Sequence, residues 1–186
     1  MTRLLPPPEE TLSEEQRRVY EAIASGPRGQ VRGPLAIWLH RPGLAQAAQA
    51  LGAYCRYGSS LDPRLSELAI LTMATLWKSE FEWWAHKPIA LKAGLSSDIV
   101  EALQQGKQPK FAEDETRMVY SVVKELTEQR QLSDKTYNEA REVLGEERLV
   151  DLVGVCGYYT LISMTINAFE VPIPEGEVAE LTGTNK

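Results

Sequence analysis

The stretch that decides the fold runs from Arg64 to Trp77 and reads RLSELAILTMATLW. Apolar residues fall on nearly every side of a helix drawn through it, and such a helix is buried at the centre of a domain. Asp62 and Pro63 just before it are typical of an N-cap and a first helical position. A second stretch of the same character, Arg148 to Ala168, predicts another core helix or a subunit interface.

Working outward, the rest of the chain reads as helices joined by short loops. Ser13 and Gln16 have the spacing of a capping box and predict a first helix. Pro42-Gly43 predicts a break, followed by a helix from Leu44 to Tyr57. Ser133 predicts the cap of a helix that ends near Leu144. No stretch alternates in the manner of a strand, so we expect an all-α fold of about eight to ten helices.

Three regions follow from this pattern. Residues 1–12, with three consecutive prolines, predict an extended N-terminal arm. Residues 13–174 predict a single helical domain, and residues 175–186 a polar C-terminal tail.

Composition sets limits on the function. The chain has 186 residues, 43% of them apolar, and a net charge of −6, which argues against nucleic acid or an anionic membrane as a partner. No apolar run reaches the roughly 18 residues of a membrane span, and a cytoplasmic location is the default expectation. Cys55 and Cys156 lie far apart, and no Cys/His metal-ligand spacing occurs, so neither a disulfide framework nor a zinc site is predicted.

Glu67 is a carboxylate inside the most apolar helix of the chain. Burial of an unpaired carboxylate is costly, so Glu67 is paired, protonated or placed at the wet first turn of the helix. The residue by itself favours none of these alternatives.

Ser79, Glu82 and His86 are spaced three and four residues apart and therefore share one face of a helix. A carboxylate beside an imidazole raises the pKa of the ring, and such a pair can transfer protons near neutral pH. By spacing alone, an exposed Glu–His pair with only a structural role is the commoner arrangement. Flanking Trp83 and Phe81 favour the wall of an apolar pocket instead.

Other side chains are candidate substrate contacts. Arg56 is suited to bidentate binding of a carboxylate. Asn167 lies on an apolar helix, where a buried amide needs partners. His40 could line a pocket, although a capping or packing role is typical for a histidine at a helix end. With Ser79 and Trp83, these make up the predicted substrate-binding set.

The segments Arg64-Leu-Ser-Glu-Leu-Ala-Ile-Leu, Ser79-Glu-Phe-Glu-Trp-Trp-Ala-His and Ala93-Gly-Leu-Ser together resemble the core of the carboxymuconolactone decarboxylase superfamily. The close similarity covers residues 56–103, and a looser one continues through Tyr158-Tyr159-Thr and Asn167-Ala-Phe-Glu-Val-Pro. The resemblance implies the compact, multi-helix alkylhydroperoxidase D-like fold and a homo-oligomer, such as a trimer or hexamer.

The resemblance also implies a site. Glu67 and His86 fall at the Glu and His positions of the peroxidase branch, but Ser79 and Glu82 stand where that branch has its Cys-x-x-Cys pair. The decarboxylase branch lacks that pair and acts without a cofactor on a small lactone acid. We therefore expect a cofactor-free, lyase-type enzyme with catalytic residues Glu67, Glu82 and His86.

Two other functions remain open at this point. A peroxiredoxin-type antioxidant would need a reactive thiol, and only Cys55 or Cys156 could supply it. A non-catalytic oligomeric binding protein of the same fold would be favoured by a collapsed pocket, or by a large distance between Glu67 and His86.

Overall fold

The computed structural model describes residues 2–181, a range that contains eight α-helices and no strand. The helices are α1 (Glu14–Ala24), α2 (Pro34–Trp38), α3 (Pro42–Ala53), α4 (Pro63–Trp77), α5 (Glu80–Lys92), α6 (Ser97–Gln104), α7 (Asp114–Gln129) and α8 (Asp134–Phe169). A 3₁₀ turn spans Glu9–Thr11, and a π-helical turn, Tyr54–Gly58, connects α3 to α4. The predicted all-α fold is confirmed.

Helix α4 lies at the centre of the molecule. Every residue from Leu65 to Ala74 is buried, and the helix packs against α5, α7 and α8. Asp62 caps its N-terminus by accepting from the amide of Arg64, and Lys78 ends it in the left-handed conformation, with φ 53°. The sequence pattern thus predicted both the bounds and the central position of this helix.

Helix α8 consists of two helical segments that meet at Gly145, whose φ of 79° is not helical. This residue separates the two helices predicted on either side of it. By length and composition α8 could cross a membrane, but 56% of its most apolar window is buried. It packs on α4 and α7, as the core helix of a globular domain does.

Two predicted helix starts have different outcomes. The capping box is confirmed, since Ser13 Oγ accepts from the amide of Gln16 and Gln16 Oε1 accepts from the amide of Ser13. The predicted break at Pro42-Gly43 is wrong, because α3 begins at Pro42. Proline suits the first helical turn, where its missing N–H would have no intrahelical acceptor.

Both ends of the described chain lie against the helical body. The Arg3 amide donates to the Phe169 carbonyl (2.9 Å), and His40 Nε2 lies 2.9 Å from the Leu5 carbonyl. In the C-terminal segment, Leu181 is buried, and the amides of 180 and 181 donate to the Glu80 carboxylate. Of the two predicted terminal segments, residues 1 and 182–186 lie outside the described residues.

Candidate active site

His86 lies between two carboxylates from two different helices. Its Nδ1 is 2.7 Å from Oε2 of Glu67 on α4, and its Nε2 is 3.0 Å from Oε1 of Glu82, one turn earlier on α5. All three residues are buried, with 3–5% of their surface exposed. We call Glu67, His86 and Glu82 the relay triad.

The two carboxylates control the charge of the imidazole. Burial alone lowers the pKa of His86, but the charges of Glu67 and Glu82 and the hydrogen bonds to them outweigh burial and raise its pKa to about 9. At neutral pH His86 is therefore an imidazolium that donates one N–H to each carboxylate. The triad is a continuous hydrogen-bonded path from inside α4 to the cavity face of α5.

The packing of α4 on α5 creates this path. Glu67 sits in the second turn of α4, away from the wet first turn, so the paired alternative for this carboxylate is the one observed. The Tyr159 ring from α8 packs nearly perpendicular to the His86 ring on the third side of His86, with ring centroids 5.4 Å apart.

A cavity of about 240 Å³ lies in front of the triad. Glu82 and His86 are part of its wall, whereas Glu67 lies behind them. The rest of the wall combines three arginines with apolar and aromatic residues, which include Leu35, Tyr57, Phe81, Ile89, Tyr158, Tyr159 and Ile162. We call this space the relay cavity.

Three guanidiniums line the relay cavity, those of Arg28, Arg32 and Arg56. Within residues 2–181 none of them forms an ion pair with a carboxylate. Arg32 stacks over Trp84 and Arg56 over Tyr57. Arg28 Nε is buried without a hydrogen-bond partner. Unpaired guanidiniums beside a buried triad make the cavity electropositive, so it favours an anionic group.

The π-helical turn brings Arg56 to the cavity. Such turns often occur at functional sites because the extra residue redirects the side chains of the turn. Buried Asp151 of α8 holds this region in place: it accepts from the Tyr54 hydroxyl at 2.6 Å and from both the amide and the hydroxyl of Ser60 at 2.7 Å. We call these contacts the Asp151 clamp.

Arg28 and Tyr158 meet where α3 leaves room for them. An Arg28 terminal nitrogen lies 3.4 Å from the Tyr158 hydroxyl. A Cβ at Gly52 would overlap that hydroxyl and crowd the guanidinium. Burial raises the pKa of Tyr158 to about 12, so its hydroxyl stays protonated.

The predicted substrate-binding residues divide sharply. Arg56 lines the relay cavity, whereas Ser79, Trp83, His40 and Asn167 lie outside its wall. His40 contacts the Leu5 carbonyl, and Asn167 Nδ2 donates to the Trp77 carbonyl at 2.7 Å. Trp83 Nε1 donates to Glu180 on the C-terminal segment.

Ser79 is fully buried at the N-cap position of α5, where its hydroxyl caps nothing and has no hydrogen-bond partner. The helical spacing that places Ser79 on the same face as Glu82 does not bring it to the cavity.

Sequence reasoning missed several cavity residues, most notably Arg28 and Arg32. They lie in the loop between α1 and α2, far in sequence from the triad. Tyr158 and Tyr159 are buried, as core residues of an apolar helix are, yet they also form cavity wall. The only sequence feature that could have pointed to Arg28 and Arg32 was the presence of two arginines in a Gly- and Pro-rich loop.

Both cysteines are buried and lie outside the wall of the relay cavity. Burial raises the pKa of Cys156 to about 12, and burial together with the charge of Asp151 raises that of Cys55. Neither thiol is therefore activated as a nucleophile. In the described part of the chain, no group of three or more His, Cys, Asp or Glu side chains is arranged to hold a metal ion.

A family model matches the part of the chain that contains the relay triad. The model of the carboxymuconolactone decarboxylase family matches residues 42–113, a range that includes the whole relay triad and Arg56. No curated protein matches the chain.

Solved structures share the fold over nearly the whole chain. An uncharacterized peroxidase-related protein from Silicibacter sp. TM1040 superposes with a TM-score of 0.77 at 14% identity, covering 97% of this chain and 95% of its own. A peroxidase-related protein with an alkylhydroperoxidase AhpD core, from Ralstonia eutropha JMP134, gives 0.73 at 13% identity, covering 94% and 93%.

The debrominase Bmp8, in a cysteine-to-alanine variant bound to 2,3,4-tribromopyrrole, gives a TM-score of 0.74 at 13% identity and covers 94% of both chains. The matched segment and the shared architecture thus show similarity to the carboxymuconolactone decarboxylase family over residues 42–113 and the all-helical alkylhydroperoxidase D-like fold over nearly the whole chain.

Proposed function

We propose that this protein is a cofactor-free enzyme that transfers a proton to or from carbon in a small organic acid or lactone. One observation carries the proposal: His86 is held between two buried carboxylates, and one of these, Glu82, faces a cavity. Carboxylates and an imidazole linked by hydrogen bonds are typical general acids and bases in enzymes.

Each member of the triad has its own role in this proposal. Glu82 exchanges the proton with the substrate because it lines the cavity. The His86 imidazolium, which also lines the cavity, donates to Glu82 and balances the charge that appears when a proton moves. Glu67 is a positioning residue, since it lies behind His86 and fixes the ring through Nδ1.

The cavity supports an anionic and compact substrate. Its volume of about 240 Å³ is below the 300–1,000 Å³ of sites for drug-sized ligands. Arg28, Arg56 and Arg32 are available to a carboxylate, and the aromatic wall suits a planar or unsaturated ring. The debrominase Bmp8, which shares this fold, was solved with a small ring compound, tribromopyrrole.

The two alternatives have less support. Peroxidase chemistry through a thiol would need a reactive cysteine at the site, and neither Cys55 nor Cys156 lines the relay cavity. A non-catalytic binder would not need its histidine held 2.7 Å from Glu67 and 3.0 Å from Glu82 at the wall of a cavity.

Hydrogen exchange tests the proposal even though the natural substrate is unidentified. A panel of small unsaturated acids and lactones is incubated with the protein in D₂O, and the loss of carbon-bound hydrogen is followed by NMR. We expect Glu82→Gln and His86→Gln to slow this exchange at least about 100-fold, the lower range for a lost general acid or base.

A matched control is Glu128→Gln, which makes the same change on an exposed side chain of α7. It should leave the exchange rate unchanged. Full activity in both Glu82→Gln and His86→Gln would overturn the role assignment. Binding of the acids without any exchange by the wild-type protein would favour the non-catalytic binder instead.

We also propose that the protein forms homo-oligomers, with the second half of α8 in the interface. Val150, Val153 and Met164 are 71%, 45% and 50% exposed, and their spacing places them on one side of the helix. Gly154 and Gly157 on the same side have open space around them, which allows another helix to approach closely.

Light scattering tests this expectation. The wild-type protein should have at least twice the chain mass of 20.8 kDa at micromolar concentration, and Val153→Glu should reduce it to a monomer. The exposed Val178→Glu is the matched control. A monomeric wild-type protein would contradict the proposal.

A further inference from the structure

A second cavity, of about 390 Å³, lies next to the relay cavity. Phe81 and Arg32 belong to the walls of both, so the two spaces adjoin at these two side chains. The proposed function assigns the second space no role. We call it the apolar cavity, after the residues of its wall, which include Leu4, Leu5, Pro6, Pro7, Val31, Ala36, Ile37, Val171 and Pro172.

Phe81 forms the partition. Its ring packs beside Trp84, with centroids 5.6 Å apart, and it lies directly against Gly33. A Cβ at Gly33 would overlap the ring, and the φ of 58° at this residue also favours glycine. Glycine therefore leaves the space in which an aromatic ring can stand between the two cavities.

The N-terminal arm forms the outer wall. It is tied to the body by the Arg3 amide at the Phe169 carbonyl and by His40 at the Leu5 carbonyl. Prolines restrict its backbone, so a mostly apolar cavity is kept between the arm and α2.

Charge is distributed unevenly along the two cavities. The guanidiniums of Arg28, Arg56 and Arg32 lie on the side of the relay triad or at the partition. The carboxylate of Glu9 lies in the wall of the apolar cavity and accepts from the Tyr20 hydroxyl at 2.9 Å. A carboxylate is therefore attracted to the arginine end and repelled from the far end, where only an uncharged group is favoured.

We propose that the two cavities form one bipartite site for an acid with an alkyl chain, whose carboxylate lies among the arginines and whose chain passes Phe81 into the apolar cavity. The inference rests on the proposed function for its reactive end and deepens it by naming the substrate class. A compact acid would fill only the relay cavity, whereas a chain-bearing acid buries apolar surface in both.

Calorimetric titration with the straight-chain acids from butanoate to decanoate tests this proposal. Each methylene that enters the apolar cavity should tighten binding about fourfold, the affinity equivalent of burying one methylene. The gain should stop once the chain fills the cavity. Affinity that is independent of chain length would overturn the proposal.

Filling the apolar cavity sharpens the test. Val31→Trp places a large ring in its wall, and Ala36→Phe does so from α2, in case the first variant folds poorly. Either change should make the affinity nearly independent of chain length, while butanoate still binds within about twofold of the wild-type affinity. Val178→Trp adds the same ring at a residue that is 78% exposed and lines neither cavity, and it should leave the series intact.

Replacing one arginine tests the charged end of the site. Arg32→Gln should weaken the binding of every acid in the series about tenfold, and unchanged binding would count against the arginine end.

The remaining outcomes distinguish failure of the bipartite site from failure of the proposed reaction. If chain-length dependence is present but no acid undergoes exchange, the site holds and the proposed reaction fails. If short acids exchange and the series is flat, the reaction holds and the bipartite site fails. Alkanoate affinity that falls as protein concentration rises would assign the apolar cavity to a second copy and overturn the proposal.

Discussion

Within residues 2–181, two places bury charged side chains, and they do so in opposite ways. In the relay triad, His86 lies between Glu67 and Glu82, and two of the three groups face a cavity. In the Asp151 clamp, one carboxylate accepts three hydrogen bonds from neutral donors and faces no described cavity.

The difference separates a structural carboxylate from a reactive one. Burial opposes the charge of Asp151, but hydrogen bonds from Tyr54 and Ser60 lower its pKa, so it remains ionised and has no proton to give. The triad instead holds a proton between groups that can exchange it. Burial of charge alone therefore does not mark a site; an ionisable partner and access to a cavity do.

The largest expected effect is that of removing the cation from the triad. His86→Leu leaves Glu67 and Glu82 buried without their partner, and breaking a buried ion pair in this way costs about 3–5 kcal/mol. Urea unfolding at pH 7, followed by tryptophan fluorescence, measures the change. A loss below about 1 kcal/mol would mean that the triad is hydrated and contributes little to stability.

The next effect is a dependence of stability on pH. The pKa of His86 is about 9 in the folded protein against its ordinary value of 6.5, so the folded state binds more protons between these values. The resulting stabilisation is complete below pH 6.5 and is lost as pH rises through about 9, by on the order of 3 kcal/mol.

Unfolding free energies at pH 6, 7.5 and 9 measure this slope. The Asp151→Asn protein should keep this dependence of the unfolding free energy on pH, and the His86→Leu protein should lose it. Since the pKa of Asp151 is lowered, its own contribution is present above the ordinary aspartate pKa and is lost as pH falls through the depressed value, at the opposite end of the range. A His86→Leu protein that kept the full slope would show that another group titrates.

A smaller effect is expected from the clamp. Asp151→Ala removes a buried carboxylate that accepts three hydrogen bonds, and loss of hydrogen bonds to a charged group costs about 2 kcal/mol. It should also loosen the π-helical turn that carries Arg56, and so weaken acid binding. Unfolding and butanoate titration measure the two consequences, and loss of stability with unchanged binding would separate the clamp from the site.

The smallest effect is that of one donor within the clamp. Ser60→Ala removes the hydroxyl but keeps the amide that also donates to Asp151, so about 1 kcal/mol should be lost. The same unfolding experiment measures it. A loss as large as that of Asp151→Ala would mean that the hydroxyl alone carries the clamp.

Local patterns predicted the helices and one of the two contacts within the triad. The spacing of Glu82 and His86 placed them on one face of α5, and the apolarity of Arg64 to Trp77 predicted a buried α4. The bond between Glu67 and His86 joins two helices, and only the family resemblance suggested it. The placement of Arg28 and Asp151 depends on how distant segments pack, which spacing along one helix does not encode. Ser79 shows that helical spacing is also not sufficient, since it shares a face with Glu82 and His86 but does not line the cavity.

Gly52 lies on α3, which contributes no residue to the wall of the relay cavity, yet it contacts two side chains that do. A single methyl group at this position would press on Tyr158 and Arg28 together, and so displace an aromatic ring and a guanidinium at once. Helix α3 thus influences the shape of the relay cavity indirectly, through Tyr158 and Arg28. Because the Tyr158 ring packs on Tyr159, and Tyr159 packs on His86, a substitution at this one small residue can act on the relay triad from outside the cavity.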